Sequence, residues 1–166
     1  MAVARGNIVR EGEQGIFHVT AKCVRGAYLG GTDPVSGVSH EHRRGWMLSW
    51  LKRLTEGFEV KVLAYAFMPD HLHIAAWTRP DLLETCSGED LARRWLMVSL
   101  KKEQRISDQP EDKDVAALAG RPEWVEDARR RLGSLSWFMR CLNEYIARRA
   151  NKEDGYRGRF WDGSFK

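Results

Sequence analysis

Three segments of the chain carry the alternating, β-rich apolar pattern that predicts strands. The first runs from Gly15 to Val24 (GIFHVTAKCV), the second from Glu59 to Met68 (EVKVLAYAFM) and the third from His71 to Thr78 (HLHIAAWT). Only the dipeptide Pro69-Asp70 separates the second segment from the third. Because strands joined by two turn residues usually pair with each other, the sequence predicts an antiparallel hairpin there.

Four other segments place apolar residues three and four positions apart, which is the spacing of a helix that buries one face. The predicted helices run from His40 to Phe58, from Leu91 to about Gln104, from Pro122 to Leu132 and from Leu135 to about Asn151. Between them, residues 105–121 predict an irregular polar connector. Residues 30–37 predict a loop because they are dense in turn-forming residues.

The order of these elements is β-α-β-β-α, followed by more helix. That order is typical of an α+β sandwich of the ferredoxin-like type, in which helices cover one face of an antiparallel sheet. Residues 157–165, RGRFWDGSF, are the one late candidate for a fourth strand. With 166 residues, the chain is long enough for one domain and too short for two. We therefore expect a single domain over residues 1–166.

The composition is that of an ordinary globular protein, with 43% hydrophobic and 30% charged residues. No apolar run approaches the length that spans a bilayer, and the first residues lack the apolar core of a secretory signal, so we expect a cytoplasmic protein without a membrane partner. The cysteines are odd in number and widely spaced, which predicts reduced buried thiols at Cys23, Cys86 and Cys141.

The net charge of +4 is unevenly distributed along the chain. Residues 1–120 carry 16 Lys and Arg against 16 Asp and Glu, whereas residues 121–166 carry 11 against 7. This asymmetry favours a basic face that contacts a polyanion, and the alternative is an ordinary solvated helix surface.

Two histidines stand one residue apart in the third predicted strand. On a strand, His71 and His73 project to one side, whereas Leu72 and Ile74 project to the other. If the two apolar residues face the helices, both imidazoles lie where water or a ligand reaches them. Two nitrogen donors at this spacing can share a divalent cation, and the alternative is a pair of unrelated surface histidines.

The segment FMPDHLHIAA resembles the His-hydrophobic-His strand of the REP-associated tyrosine transposases and their insertion-sequence relatives, which belong to the HUH class. FHVTAKCVRGAYLGG resembles the family's first strand. SWFMRCLNEYIARRANKEDG, followed by GRFWDGSFK, resembles the helix and the Gly-rich aromatic tail near the family's C-terminal end. The resemblance covers nearly all the chain from Phe17 onward, in the right order.

The resemblance implies a ferredoxin-like HUH-type catalytic domain in which His71 and His73 hold Mg²⁺ or Mn²⁺. It also implies a helix-borne tyrosine that cuts single-stranded or hairpin DNA and remains attached as a 5′-phosphotyrosine until the strands are rejoined. Family members act as monomers or dimers, so a homodimer stays open. The family's tail usually reads Gly-Arg-Phe-Lys and continues through several tens of residues of helix. We therefore expect a relative that lacks this C-terminal helical extension.

Tyr145 is the candidate nucleophile by its position on the last predicted helix. It lies at the edge of the apolar stripe, and Arg148, Arg149 and Lys152 follow on the same flank, where cations would stabilise a phenoxide. The alternative is an amphipathic tyrosine whose ring packs on the core. An alignment through Asn151 would place the family's tyrosine one position further along, on Ile146.

The family's third metal ligand, a Gln or Asn about one turn beyond the tyrosine, has no clean match here. His18 from the first strand or water molecules could complete the metal site instead. Acidic residues of the polar connector also stay open as ligands, namely Glu103, Glu111 and Asp112.

A single DNA strand is held by cations along its backbone and by flat rings under its bases. Both kinds of side chain are concentrated near the C-terminal end, and the alternative is that the aromatic residues there pack onto the sheet. The predicted DNA contacts are Arg148, Arg149, Lys152, Arg157 and Arg159 for the backbone, with Tyr156, Phe160 and Trp161 for the bases.

Three functions follow from these features. The first is a metal-dependent DNA transposase that cleaves and rejoins strands through Tyr145. The second is a catalytically inactive or domesticated descendant that only binds structured single-stranded DNA. The third, a metal-dependent hydrolase, is the least favoured because no acidic cluster surrounds the histidines.

Overall fold

The fold is built on a three-stranded antiparallel sheet in the order β1-β3-β2. The computed structural model describes residues 12–24, 26–99 and 110–166. Strand β1 is Gly15–Lys22, β2 is Val60–Phe67 and β3 is His71–Thr78, so all three predicted strands are confirmed. β3 lies in the centre and pairs with both neighbours, and the predicted hairpin between β2 and β3 is present.

Five helices and one short 3₁₀ helix accompany the sheet in the described residues. Their bounds are α1 Arg43–Gly57, the 3₁₀ helix Pro80–Leu83, α2 Gly88–Val98, α3 Asp112–Ala119, α4 Pro122–Leu132 and α5 Leu135–Glu153. The fold is therefore α+β, with a sheet order that is compatible with a ferredoxin-like arrangement. Within the described ranges, no helix combines the length and apolarity that a membrane crossing requires.

Several helix boundaries differ from the sequence prediction, since α1 begins at Arg43 instead of His40 and α2 ends at Val98 instead of near Gln104. Helix α2 starts earlier than expected, because Ser87 and Asp90 form a reciprocal capping box that fixes its first turn. The connector predicted over residues 105–121 contains α3, whose run of alanines favours a helix and whose Val115 is buried. Residues 100–109 lie outside the described part of the chain.

The sheet has one buried face and one open face. Leu72 and Ile74 are fully buried in a core that includes apolar residues of α1 and α5, whereas His71 and His73 on the same strand keep part of their surface exposed. The sidedness predicted from the alternation is therefore confirmed. Burial of a Leu or Ile side chain contributes about 1.5–3 kcal/mol, so these two positions fix which face turns to solvent.

The C-terminal segment runs along the outer edge of β1. Thr20 and Lys166 exchange two backbone hydrogen bonds of 2.7 and 2.8 Å, and Cys23 forms a bridge with Trp161. Residues 160–166 thus cover the edge where the sequence offered its candidate fourth strand, although the pairing is irregular. A covered edge removes unpaired backbone groups that would otherwise recruit another chain.

Arg43, at the start of α1, joins three parts of the fold although its side chain is only 2% exposed. Its guanidinium donates to the Tyr28 carbonyl at 2.7 Å, to the Glu153 carboxylate at 2.9 Å and to the Asp154 carboxylate. A buried charge is tolerated only when it is paired and hydrogen-bonded. Arg43 therefore ties the end of α5 and the segment after β1 to the start of α1.

The three cysteines are free thiols, as the sequence predicted. Burial raises the pKa of both the Cys23 and the Cys141 thiol to about 12, so these groups are unreactive as nucleophiles. Cys86 is only partly buried, which the sequence did not indicate.

We predict that Arg43→Ala lowers the free energy of unfolding by about 3 kcal/mol, because it leaves two carboxylates without their cation. Arg44→Ala, which removes an exposed pair with Glu41, is the matched control and changes stability by less than about 1 kcal/mol. Urea denaturation at neutral pH measures both values, and equal effects of the two substitutions would contradict the assignment.

The same interaction predicts a pH dependence of stability. Burial alone would raise the pKa of Glu153, but hydrogen bonds from His42 and Arg43 outweigh it and lower that pKa below its ordinary value. The stabilisation is thus complete above the ordinary glutamate pKa and is lost as the pH falls through the lower pKa of the folded state. Urea denaturation between pH 7 and pH 3 should show that loss in the wild type and a smaller one in Arg43→Ala.

Candidate metal and nucleic-acid site

Three histidines meet on the open face of the sheet. His71 and His73 project from β3, with their ring centroids 5.0 Å apart. His18 projects from the neighbouring β1, and its ring lies parallel to that of His73 with a centroid distance of 5.1 Å. The antiparallel register brings His18 and His73 together. Thr20 of β1 lies opposite His73, so His18, two residues before Thr20, is the diagonal neighbour of His73.

Two of these rings are in hydrogen-bonding contact. Nε2 of His18 lies 3.0 Å from Nδ1 of His73. The rings are nearly parallel and meet end to end, so these two nitrogens point at each other, and both could bind one ion only after the rings rotate. In the absence of a cation, the same distance suits a hydrogen bond between two neutral imidazoles.

His71 has a carboxylate partner that fixes its orientation. Nδ1 of His71 lies 2.7 Å from the carboxylate of Asp70, in the turn between β2 and β3. This hydrogen bond lowers the pKa of Asp70 below its ordinary value, so the carboxylate remains ionised. A carboxylate that holds one ring nitrogen leaves the other nitrogen free to bind a metal, which is a common arrangement around metal-ligating histidines.

A second group of potential ligands lies at the end of α5. Among the described residues, one set of three side chains has donor atoms that all lie within 4.8 Å of one another, namely His40, Glu153 and Asp154. The three open-face histidines do not meet this criterion. Both carboxylates, however, already bind the guanidinium of Arg43. Because that fixed positive charge would repel a cation, the second group does not fit a metal.

The acidic residues proposed as further ligands do not lie at the histidines. Asp112 pairs with Arg93 at 3.0 Å, and Glu111 pairs with Lys113 at 2.6 Å, both beside α3. Glu103 lies outside the described residues.

Tyr145 lies in the helical layer, so the structure does not bring it to the open-face histidines. Its ring stacks on the buried Trp50 of α1, with a centroid distance of 4.5 Å. Its hydroxyl accepts a hydrogen bond of 2.7 Å from Arg149, whose guanidinium also lies over Trp46. Ile146, the position that the alignment through Asn151 gives to the family's tyrosine, is buried in the core.

The basic residues predicted to contact DNA are exposed at the end of α5 and in the segment that follows. Arg148 is ion-paired with Glu144 on the helix surface. Tyr156 is 57% exposed, and its ring is accessible. The remaining exposed cations are Arg149, Lys152, Arg157 and Arg159.

Trp161 does not form part of that exposed surface, and its assignment to base stacking is corrected. Both Trp161 and Phe160 are buried, and the Trp161 indole donates a hydrogen bond of 2.8 Å to the Asn143 carbonyl. The physical reason is the pairing of this segment with β1, which turns both rings into the core. This outcome matches the alternative in which the aromatic residues pack onto the sheet.

Sequence reasoning missed three side chains on the open face. Trp77 lies four residues after His73 on β3, and Lys61 and Arg79 approach its ring at 5.5 and 5.0 Å. The signal was available, since Trp77 has the same parity along the strand as the histidines. The open face therefore carries cations and an aromatic ring as well as the imidazoles.

Two depressions lie near the basic segment, one beside the turn before β3 and the other beside the end of α5. The Asp70 groove has a volume of about 470 Å³ and is lined by Lys22, Pro69 and Asp70 among others. The Tyr28 cleft has a volume of about 450 Å³ and is lined by residues that include Tyr28, Asp33, His40, Tyr156 and Arg159. Both are lined by Val24, Gly26, Ala27 and Tyr28, so the two depressions lie beside the same segment after β1.

Comparison with known proteins gives no match: no family model fits the chain, and neither a curated protein nor a solved structure shows significant similarity.

We predict that Mn²⁺ binds at the open-face histidines, and that His73→Ala or His18→Ala weakens its affinity roughly 10-fold or more because each removes a ligand. Binding should also weaken on acidification, since a ligating imidazole must be unprotonated. Titration calorimetry of the purified chain with Mn²⁺ measures both effects. His40→Ala is the control that keeps full affinity, and a loss of binding there but not in His73→Ala would contradict the assignment.

Proposed function

We propose that this chain binds single-stranded or hairpin DNA along the path from the open-face histidines to the basic C-terminal segment, with a divalent cation, Mg²⁺ or Mn²⁺, at the histidines. The proposal includes a ferredoxin-like domain of the HUH type, as the resemblance in sequence implies. In this proposal the chain is a DNA-binding relative of the REP-associated tyrosine transposases.

The observation that supports the proposal is the position of the two depressions. The Asp70 groove lies beside the Asp70–His71 pair, and the Tyr28 cleft is lined in part by Tyr156 and Arg159. The surface from the open-face histidines past these depressions to the basic segment is the path along which we propose that the strand lies. A phosphodiester backbone carries a negative charge at every nucleotide, so a strand laid along this path would meet cations at both ends.

The side chains of the open face on both sides of the histidines suit a single strand better than a duplex. Lys22, Lys61 and Arg79 are cations on or beside the open face, and Trp77 offers an aromatic ring between them. Bases of a duplex are stacked on each other and unavailable to such rings, whereas bases of a loop or a single strand are free to stack on protein side chains. The combination supports single-stranded or hairpin DNA.

The cation would be held by His18 and His73, with His71 beside them and oriented by Asp70. When bound, it would withdraw negative charge from a phosphate oxygen. The contribution of the chain itself is to hold the imidazoles rigidly on a central strand and to leave their open side accessible to a phosphate.

Strand cleavage through Tyr145 is the second candidate function. The observation in its favour is the hydrogen bond from Arg149 to the Tyr145 hydroxyl, because a guanidinium at 2.7 Å stabilises a phenoxide. A phenol attacking phosphorus would form a phosphotyrosine ester and release a 3′-hydroxyl, and the reverse reaction would rejoin the strand. The stacking on Trp50 and the position in the helical layer favour binding without cleavage.

We predict that DNA affinity falls steeply with salt and that Arg157→Gln combined with Arg159→Gln reduces the slope of log K against log [salt]. Each lost phosphate contact should reduce that slope by about 0.7 for a single strand. Fluorescence anisotropy with a hairpin oligonucleotide measures the slope. The control, Arg93→Gln combined with Arg130→Gln, removes the same charge elsewhere on the surface and should leave the slope unchanged. Equal slopes for the two double variants would contradict a contact between the basic segment and DNA.

We predict that no covalent protein–DNA adduct forms on a hairpin substrate with Mn²⁺, because the Tyr145 ring is held against Trp50. Denaturing electrophoresis of a labelled oligonucleotide measures the adduct. An adduct that disappears in Tyr145→Phe would instead establish cleavage. Product release without any protein-linked strand, and dependent on His73, would indicate the hydrolase.

A further inference from the structure

The Tyr28 cleft has walls unlike those of a groove that holds phosphates. Its aromatic side is formed by Tyr28 and His40, whose rings are parallel within 4° at a centroid distance of 5.8 Å. Its acidic side includes Asp33 and Asp154, and Arg159 stands at the rim. Carboxylates inside a cleft repel a phosphodiester backbone, so a DNA strand would place its phosphates outside and a base inside.

Asp33 is held as an oriented hydrogen-bond acceptor. Its carboxylate accepts from the backbone N–H of Val35 at 2.9 Å and from the Ser36 hydroxyl at 2.5 Å. The hydrogen bond from Ser36 is the largest reason that the pKa of Asp33 lies below its ordinary value. An ionised carboxylate has about four acceptor sites. The backbone N–H of Ser36 and the Tyr28 hydroxyl also reach this carboxylate, so a donor from a ligand would take the place of the Tyr28 hydroxyl.

The loop that carries Asp33 is itself well fixed. Thr32 and Ser39 form a bridge, Asp33 donates its N–H to the Val38 carbonyl at 2.9 Å, and His40 donates its N–H to the Gly31 carbonyl at 2.7 Å. On the opposite wall, Asp154 is paired with Arg43, which leaves Asp33 as the carboxylate best placed to bind a ligand. The cleft is thus formed before any ligand arrives, which reduces the entropy cost of binding.

We infer that the Tyr28 cleft holds one unstacked DNA base that carries an amino group, with the base against the Tyr28 and His40 rings and its amino group donating to Asp33. The inference rests on the proposed DNA binding. Cytosine, adenine and guanine carry an exocyclic amino donor, whereas thymine has only a ring N–H between two carbonyl acceptors that a carboxylate repels. Arg159 at the rim would contact the phosphate of the same nucleotide.

The test uses hairpin oligonucleotides with single-stranded flanks of equal length, composed of dC, dA, dT or abasic residues, and measures their affinities by fluorescence anisotropy. The wild type should bind the dC and dA flanks roughly 10-fold more tightly than the dT and abasic flanks, in line with the usual contribution of one stacked base. Asp33→Asn should reduce the difference between dC and dT to less than about 3-fold. Free dCMP should compete only weakly, because it lacks the neighbouring phosphates.

Tyr28→Leu tests the aromatic wall. It should weaken binding of the dC flank roughly 10-fold and leave the abasic flank unchanged. Tyr65→Leu removes a tyrosine that is 48% exposed on β2 and serves as the matched control without effect. Asp33→Asn keeps the inference testable if Tyr28→Leu fails to fold, since it changes a charge on an exposed loop.

Three outcomes would overturn the inference. Equal affinity of the wild type for all flanks, with the steep salt dependence retained, would remove the base site and leave the proposed DNA binding intact. If no oligonucleotide binds, both the base site and the proposed DNA binding are contradicted. If free dCMP binds as tightly as the hairpin, the ligand of the cleft is a free nucleotide and not a base of DNA.

Discussion

The buried guanidinium of Arg43 is the interaction on which the shape of the candidate site depends. It is nearly inaccessible to water, and a cation in that position is stable only because it is satisfied by Glu153, Asp154 and the Tyr28 carbonyl. Two of these partners, Tyr28 and Asp154, line the Tyr28 cleft. The ion pair therefore holds together the surface on which a ligand would lie, and it also occupies the carboxylates that could otherwise have bound a metal.

The strands and their sidedness could be predicted from the sequence because they depend on local patterns. The alternation of Leu72 and Ile74 with His71 and His73 leaves one stable way to orient β3, since a shift by one residue would bury two imidazoles and expose two aliphatic side chains. The same argument extends to Trp77, which shares the open face and was overlooked. The alternation along β3 therefore indicated one more side chain of the open face than the sequence prediction included.

The parts that could not be predicted depend on contacts between residues far apart in the chain. His18 becomes the nearest imidazole neighbour of His73 only through the register of β1 against β3, which no single strand pattern specifies. Trp161 carries the composition of a stacking residue, yet the hydrogen bonds between the C-terminal segment and β1 turn it into the core. The Tyr28 cleft, with its walls from both halves of the chain, has no signature in local sequence.

The position of Tyr145 shows that a helical sequence motif whose alignment can shift by one residue does not identify the reactive side chain. Neighbouring positions on a helix differ by about 100° in direction, so a shift of one residue exchanges a core position for a flank. Here Ile146 takes the core position and Tyr145 the flank, where its ring covers Trp50 and its hydroxyl meets Arg149. The histidines, by contrast, occupy a strand whose geometry tolerates no such ambiguity. In the proposed function the open-face histidines and the basic segment hold a cation and a DNA strand, whereas Tyr145 belongs to the packing of α1 against α5.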